Sequence, residues 1–113
     1  MEVRKMKIDP QRRYELADAF FELDGSVVMK LAAGAAEAIC NAAEARGLLV
    51  TRVEGGIWHY PGFEARIDCI WDGADPPVSR DEAVVNNRAA RDFISEEKSE
   101  HDTFVITALR FAS

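Results

Sequence analysis

The spacing of apolar residues changes at Gly47 from the period of a helix to the period of a strand. Before this glycine, an alanine-rich stretch from about Ala32 to Arg46 carries its apolar residues on one stripe, and Gly47 is predicted to end that helix. From Leu48 onward, apolar and polar residues tend to alternate. The change predicts a helix followed by a sheet.

The first part of the sheet is predicted to be a tight hairpin. Leu48–Glu54 and Ile57–Tyr60 are expected to pair around Gly55-Gly56, because glycine pairs favour two-residue turns. Pro61-Gly62 is expected to form a type II turn, with proline and glycine at its two central positions.

Two more strands are predicted further along the chain. Phe63–Asp72 alternates, and its expected core side consists of Phe63, Ala65, Ile67, Cys69 and Trp71. Thr103–Phe111 is rich in β-branched and aromatic residues, which favours a closing strand. Four side chains on the apolar sides of their elements are expected to be buried, namely Ile67, Trp71, Phe93 and Ile106.

Two more helices are predicted from their start signals. Asp9-Pro10 offers an N-cap and a first-turn proline for a helix over Asp9–Leu23, which Asp24-Gly25 ends. Ser79–Glu82 matches a capping box that opens a helix to about Lys98. The apolar stripe of this last helix is expected to contain Val85, Ala89, Ala90, Phe93 and Ile94.

The predicted order α-α-β-β-β-α-β belongs to the α+β class, with an antiparallel sheet of about four strands and helices packed on one face. A further strand near residues 3–8 is an open alternative. The 113 residues suit one compact unit. Within it, residues 1–28 are interpreted as an N-terminal extension with a helix, and residues 29–113 as the main domain.

The net charge of −6 argues against free nucleic acid or an anionic membrane as partner and favours a basic protein. Cys40 and Cys69 lack the spacing of a zinc or redox motif and are expected to be buried free thiols. The chain has no apolar run long enough to cross a bilayer and no signal-peptide pattern, so a cytoplasmic protein is expected. The oligomeric state is not indicated.

Motifs that carry catalysis are weak. His59 and His101 lack metal-ligand spacing, no phosphate-binding glycine loop is present, and no Ser or Cys stands in a nucleophile motif. His59 beside Glu64 or Asp68 has the composition of a general base with its carboxylate partner, but a histidine next to an acidic residue is common in ordinary sheets. The sequence therefore predicts no catalytic residue, no metal and no cofactor.

The segment from Gly55 to Phe63 is the least generic part of the chain, and it predicts either a core corner or a partner-binding ridge. The expected register pairs His59 with Glu64 and Trp58 with Ala65, which places Trp58, Tyr60 and Phe63 on the core face. The opposite face then carries Glu54, Ile57, His59, Glu64, Arg66, Asp68 and Asp72. That face is either solvated or a partner surface, and the candidate partner-binding residues are Glu54, Trp58, His59, Glu64, Asp68, Asp72 and Asp75.

Residues 29–111 resemble the immunity family of the E-five colicin, a toxin that cleaves the anticodon of queuosine-containing tRNAs. The resemblance is carried by Met29-Lys30-Leu31, Ala36, Cys40-Asn41, Ala43, Gly47-Leu48, Gly55-Gly56, Trp58, Pro61-Gly62-Phe63, Trp71, Asn86-Asn87-Arg88, Ala90 and Phe104-Val105-Ile106-Thr107. The Gly-Gly-x-Trp-x-x-Pro-Gly-Phe pattern is specific, whereas the alanine-rich helix alone is not.

The resemblance implies a protein without catalytic activity that binds a toxin's ribonuclease domain and covers its RNA-binding site with an acidic surface. Residues 1–28 precede the usual start of the family and are either a disordered leader or a folded addition. The strand Glu64–Asp72 differs from the family in most side chains, so partner specificity is expected there. The alternative is an acidic binding or regulatory module for another basic protein.

Overall fold

The computed structural model describes residues 9, 12–22, 29–59 and 62–112. Within these ranges the chain forms five strands, three α-helices and one 3₁₀ turn. Their bounds are β1 Arg13–Tyr14, α1 Asp18–Phe21, β2 Lys30–Ala32, α2 Ala33–Ala43, the 3₁₀ turn Glu44–Arg46, β3 Leu48–His59, β4 Gly62–Asp72, α3 Arg80–Glu97 and β5 Thr103–Arg110.

The strands form one sheet in the order β1-β2-β5-β3-β4. All neighbours are antiparallel except β1 and β2, which are parallel. The core joins α2 and α3 to alternate residues of the strands, including Leu31, Val53, Phe104, Ile106 and Ala108. The smallest dimension is 19 Å, about the thickness of one helical layer on one sheet. The predicted α+β class is confirmed, with five strands instead of about four and a parallel edge.

Gly55-Gly56 is not a turn, and the predicted hairpin around it is wrong. β3 runs unbroken from Leu48 to His59, with Gly55 opposite Phe104 of β5. A Cβ on Gly55 would lie 2.4 Å from Cys69 Sγ, and one on Gly56 would lie 2.1 Å from the Glu64 carbonyl oxygen. The two glycines are therefore required by close packing on both faces of a continuous strand.

The real hairpin joins β3 to β4. His59 faces Gly62 and Trp58 faces Phe63, so the predicted pairs His59–Glu64 and Trp58–Ala65 are wrong by two residues. Tyr60 and Pro61 lie outside the described residues, but Gly62 is the first residue of β4 and does not have the positive φ of a type II turn, so the predicted type II turn at Pro61-Gly62 is wrong.

β4 contains a bulge that the alternating pattern concealed. Ala65 faces Gly56 and Ile70 faces Glu54, so residues 66–69 stand against Gly55 alone. Ile67 is 92% exposed, and its predicted burial is wrong because the bulge turns it away from the core. Cys69, at the end of the bulge, is fully buried as predicted.

Ile67→Ala is accordingly expected to change the free energy of unfolding by less than about 0.5 kcal/mol. The fully packed Ile106, which is 1% exposed, provides the comparison, and Ile106→Val is expected to cost about 0.5–1.5 kcal/mol. Urea unfolding of both variants measures the difference. Equal destabilisation by the two would show that Ile67 is packed.

The two long helices match their predicted limits. Gly47 ends the helical region with a φ of 77°, and Ser79 and Glu82 form the predicted capping box at the start of α3. The predicted stripe of α3 is wrong in part, because its fully buried residues are Ala83, Asn87, Ala90 and Ile94. Val85 is 68% exposed and Ala89 is exposed, whereas Phe93 and Trp71 are half-buried against the core.

Asn86 and Asn87 complete the sheet where β4 ends. Asn87 Oδ1 accepts a hydrogen bond from Val50 N at 2.8 Å, and Asn87 Nδ2 donates one to Leu48 O at 2.9 Å. Asn86 Nδ2 donates to Val50 O at 2.7 Å, and its Oδ1 accepts from Ala74 N. The side-chain amides thus occupy the place of a strand beside the first residues of β3.

The N-terminal region is not the predicted helix over Asp9–Leu23. Its described part contains the short strand β1 and the single turn α1, while the expected strand near residues 3–8 and the Asp24-Gly25 stop lie outside the described residues. Tyr14 and Phe20 are buried in the core, and the Arg46 guanidinium lies over the Phe21 ring. The described residues of this region therefore pack against the rest of the fold.

Candidate functional site

β4 is the outer strand of the sheet, and it carries Glu64, Asp68 and Asp72 at intervals of four residues. All three side chains are exposed. An edge strand leaves one side open to a partner, and charges and bulges on such an edge oppose pairing with another copy. The candidate surface is therefore the β3–β4 hairpin together with its outer edge.

The seven predicted partner-binding residues do not share one face. Alternation along β3 places Glu54 and Trp58 on the side away from the helices, here called the open face, and places His59 on the other side. Asp72 faces Arg52 and so belongs to the open face. Asp68 lies in the bulge of β4, and Asp75 lies in the loop before α3.

On the open face, Arg52 stands between two of the predicted carboxylates. Its Nη1 is 3.1 Å from Asp72 Oδ1, and its Nε is 3.8 Å from Glu54 Oε1. The three side chains are 38 to 66% exposed, so these pairs contribute little to stability. A basic group of a partner can therefore compete for the carboxylates at low cost.

Two aromatic side chains accompany this charge group. Trp58 and Phe63 face each other across the hairpin, and the Phe63 ring occupies the space above Gly56 on the open face. Both are half-buried, and the predicted placement of Trp58 and Phe63 on the core face is wrong. Trp58 N donates a hydrogen bond to Asp102 Oδ1 at 2.9 Å, which fixes the strand beneath the ring.

His59 and Glu64 meet at the end of the hairpin. His59 Nε2 is 2.8 Å from Glu64 Oε1, and Arg66 Nε is 3.2 Å from Glu64 Oε2. The histidine is 61% exposed, and no described Ser, Thr or Cys side chain donates a hydrogen bond to it.

Asp68 and Asp75 make no ion pair with any residue in the described ranges. Both side chains are exposed. Their charges are consequently available to a basic partner without loss of an internal contact.

Sequence reasoning missed a shallow hollow at the start of α3. It has a volume of about 470 Å³ and is lined by Asp81, Glu82, Val85 and Asn86. Hydrogen bonds from Ser79 N and Oγ lower the pKa of the exposed Glu82 carboxyl. The capping box already indicated that Asp81 and Glu82 begin a helix there, but the prediction that Val85 is buried concealed the concave surface.

Of the helices within the described ranges, none is long and apolar enough to cross a membrane.

A small two-layer domain with carboxylates and half-buried aromatics on an edge hairpin has the features of a protein-binding module. Residues 29–109 match the family model described as Colicin-E5 Imm protein. The chain belongs to the colicin-E5 immunity protein family, and the resemblance inferred from its motifs is confirmed.

Curated relatives agree with this assignment. The immunity protein CdiI of Burkholderia pseudomallei is 62% identical over 103 residues, which cover 91% of this chain and 94% of the relative. The colicin-E5 immunity protein of Escherichia coli, and the colicin-E5 immunity protein in ColE9 of the same organism, are each 32% identical over 80 residues, or 70% of this chain and 96% of theirs.

The similarity to CdiI extends beyond the region that the family model covers. Only four residues follow position 109, so an alignment of 103 residues must include part of the region before Met29. Part of the region before Met29 is therefore shared with CdiI.

Proposed function

We propose that this protein is an immunity protein that binds and inhibits the ribonuclease domain of a bacteriocin or contact-dependent toxin, a tRNA anticodon nuclease. The observation that carries the proposal is the 62% identity with CdiI over nearly the whole of both chains, within a family of colicin-E5 immunity proteins. The protein acts by occupying a surface and not by catalysis, and it works in the cytoplasm, where a tRNA nuclease meets its substrate.

The proposed contact surface is the β3–β4 hairpin with its edge. Residues 29–113 hold 14 acidic and 9 basic side chains, a balance of −5. A nuclease that holds an anticodon must present Lys and Arg to phosphates and flat surfaces to bases. Carboxylates beside Trp58 and Phe63 match both requirements, with Asp68 and Asp75 as the unpaired charges.

The bulge of β4 is proposed to determine partner specificity. It presents the almost fully exposed Ile67 between Arg66 and Asp68. An apolar side chain between two opposite charges fits only a surface with a matching pocket and charges. The N-terminal extension is proposed to be accessory to binding, because its buried residues Tyr14 and Phe20 support the core.

Co-expression in a sensitive host tests the proposal. The toxin nuclease domain encoded beside this gene is expected to arrest growth and cleave tRNA when expressed alone, and this protein is expected to restore growth and keep tRNA intact. Continued arrest in cells that hold soluble, folded protein would contradict the proposed function. An unrelated acidic protein of similar size and charge serves as the control.

The purified protein is expected neither to bind nor to cleave free tRNA at physiological salt. Its charge of −6 repels phosphates, and no described Ser, Thr or Cys side chain donates a hydrogen bond to the exposed His59–Glu64 pair. A gel-shift titration at submicromolar protein, with cleavage followed on the same samples, measures both properties. A shifted or shortened tRNA band would contradict the expectation.

A further inference from the structure

Three potential metal ligands meet beneath the β4 bulge, two of them four residues apart in sequence and the third far from both. They are Cys69 of β4, Glu97 at the end of α3 and His101 in the loop before β5. Their sulfur, oxygen and nitrogen ligand atoms all lie within 4.8 Å of one another. No spacing rule detects this group, because Cys69 stands 28 positions before Glu97 and comes near it only through the fold.

The distances within the group are close to those of a tetrahedral metal site. His101 Nδ1 is 3.3 Å from Glu97 Oε1, and Cys69 Sγ is 3.7 Å from the same oxygen. Zinc bonds of about 2.0–2.3 Å at tetrahedral angles place neighbouring ligand atoms roughly 3.3–3.6 Å apart. The remaining separation, between Cys69 Sγ and His101 Nδ1, is at most 4.8 Å, so these two atoms approach each other if a metal binds.

The hydrogen-bonding capacity of the three side chains is not fully satisfied within the group. His101 Nδ1 is buried, and despite its short distance to Glu97 it makes no hydrogen bond within the described residues. The His101 side chain is 13% exposed and the Glu97 side chain 33% exposed, while Cys69 is fully buried. A buried ring nitrogen without a hydrogen bond is costly, and a metal ion offers it a partner.

The residues around Cys69 leave space for its sulfur atom and shield it on the side of β3 and β5. Gly55 lies beside Cys69, where a side chain would overlap the sulfur, and the Phe104 ring forms part of the same wall. Burial, together with the carboxylates of Glu97 and Asp68, raises the pKa of the Cys69 thiol to about 11. The carboxylates of Glu97 and Asp68 near the sulfur favour a cation.

We propose that Cys69, Glu97 and His101 form a binding site for a divalent zinc ion. The thiolate, one carboxylate oxygen and the imidazole Nδ1 supply three ligands, and a water molecule completes four-fold coordination. Binding releases the thiol proton to solvent. The ion ties the bulge that carries Ile67 and Asp68 to the end of α3, so its expected role is to stiffen this part of the edge strand.

Metal titration of the untagged, reduced full-length chain tests the proposal. One Zn²⁺ per chain is expected by calorimetry, and Co²⁺ is expected to give a thiolate-to-metal charge-transfer band in the near ultraviolet. Cys69→Ser and His101→Asn are each expected to weaken Zn²⁺ binding at least about tenfold. Cys69→Ser is also expected to abolish the Co²⁺ band.

Two matched variants are the controls. Cys40→Ser removes the other buried thiol, and His59→Asn removes the other histidine, which also contacts a glutamate. Both are expected to bind zinc as the unaltered chain does, and their melting temperatures are expected to rise with zinc.

Circular dichroism in metal-free buffer establishes that each variant is folded, and the His101 variant alone decides the question if Cys69→Ser does not fold. Absence of stoichiometric zinc binding, binding that survives both ligand substitutions, or equal loss in the controls would overturn the proposal.

Discussion

Reversal of Glu64, Asp68 and Asp72 to lysine in one variant is expected to weaken binding to the toxin nuclease domain by about 4 kcal/mol or more, roughly a thousandfold in Kd. The three carboxylates are spaced along the outer strand β4, and all are exposed. The reversal replaces attraction to a basic groove by repulsion. Isothermal calorimetry measures the loss, and a melting curve of the same sample establishes that the variant is folded.

A control of equal charge separates the local surface from the net charge. Reversing Glu15, Asp18 and Glu22 in and beside α1 changes the net charge by the same six units, from −6 to 0. These side chains are exposed, and the neighbouring strand β1 forms the edge of the sheet opposite β4. The control is expected to slow association slightly and to keep most of the affinity. Equal losses of affinity in the two variants would show that the β4 edge is not the binding surface.

Asn87→Ala is expected to destabilise the fold by about 2–6 kcal/mol. The substitution leaves Val50 N and Leu48 O without their side-chain partners, and each unsatisfied buried group costs about 1–3 kcal/mol. Asn87 is only 3% exposed, so water cannot readily replace the amide. Urea unfolding monitored by circular dichroism gives the change.

Two further variants provide comparisons for the stability of Asn87→Ala. Asn87→Asp keeps an oxygen acceptor for Val50 N but loses the donor to Leu48 O, and an intermediate loss is expected. Asn41→Ala removes an exposed asparagine on α2 and is expected to stay within about 0.5 kcal/mol of the unaltered chain. An Asn87→Ala variant as stable as Asn41→Ala would show that the amide does not complete the sheet.

The long helices and the closing strand were predictable because their signals are local. The capping box at Ser79 and the glycine at position 47 act within one helical turn, and the structure shows both. The family resemblance was likewise readable from short motifs. Its Asn86-Asn87 element proves to be structural, because these amides bind the backbone of β3.

The errors arose where a residue's role depends on distant parts of the chain. Gly55-Gly56 has the composition of a turn, but its need for small residues comes from Cys69, Phe104 and Phe63 on either side of the sheet. Because the predicted hairpin was wrong, the predicted strand register placed Trp58 and Phe63 on the wrong face of the sheet. The alternation around Ile67 gave no sign of the bulge, because a bulge depends on pairing with β3.

The partner-binding role of the seven residues stays a prediction, but their arrangement in the structure differs from the expected single face. The predicted carboxylates, with His59 and Trp58, do lie on or near the β3–β4 hairpin, but on two faces and an edge instead of one face. The group formed by Cys69, Glu97 and His101 was not visible, since only the fold brings Cys69 of β4 to the other two residues at the end of α3.

The most direct test of the proposed function is inhibition of tRNA cleavage by purified components. Increasing amounts of this protein are added to a fixed amount of the nuclease domain of the toxin encoded beside it, and intact tRNA is quantified. Cleavage is expected to fall linearly and stop at one immunity protein per nuclease domain. Undiminished cleavage at a several-fold excess of folded protein would contradict the proposal that this chain neutralises a tRNA nuclease.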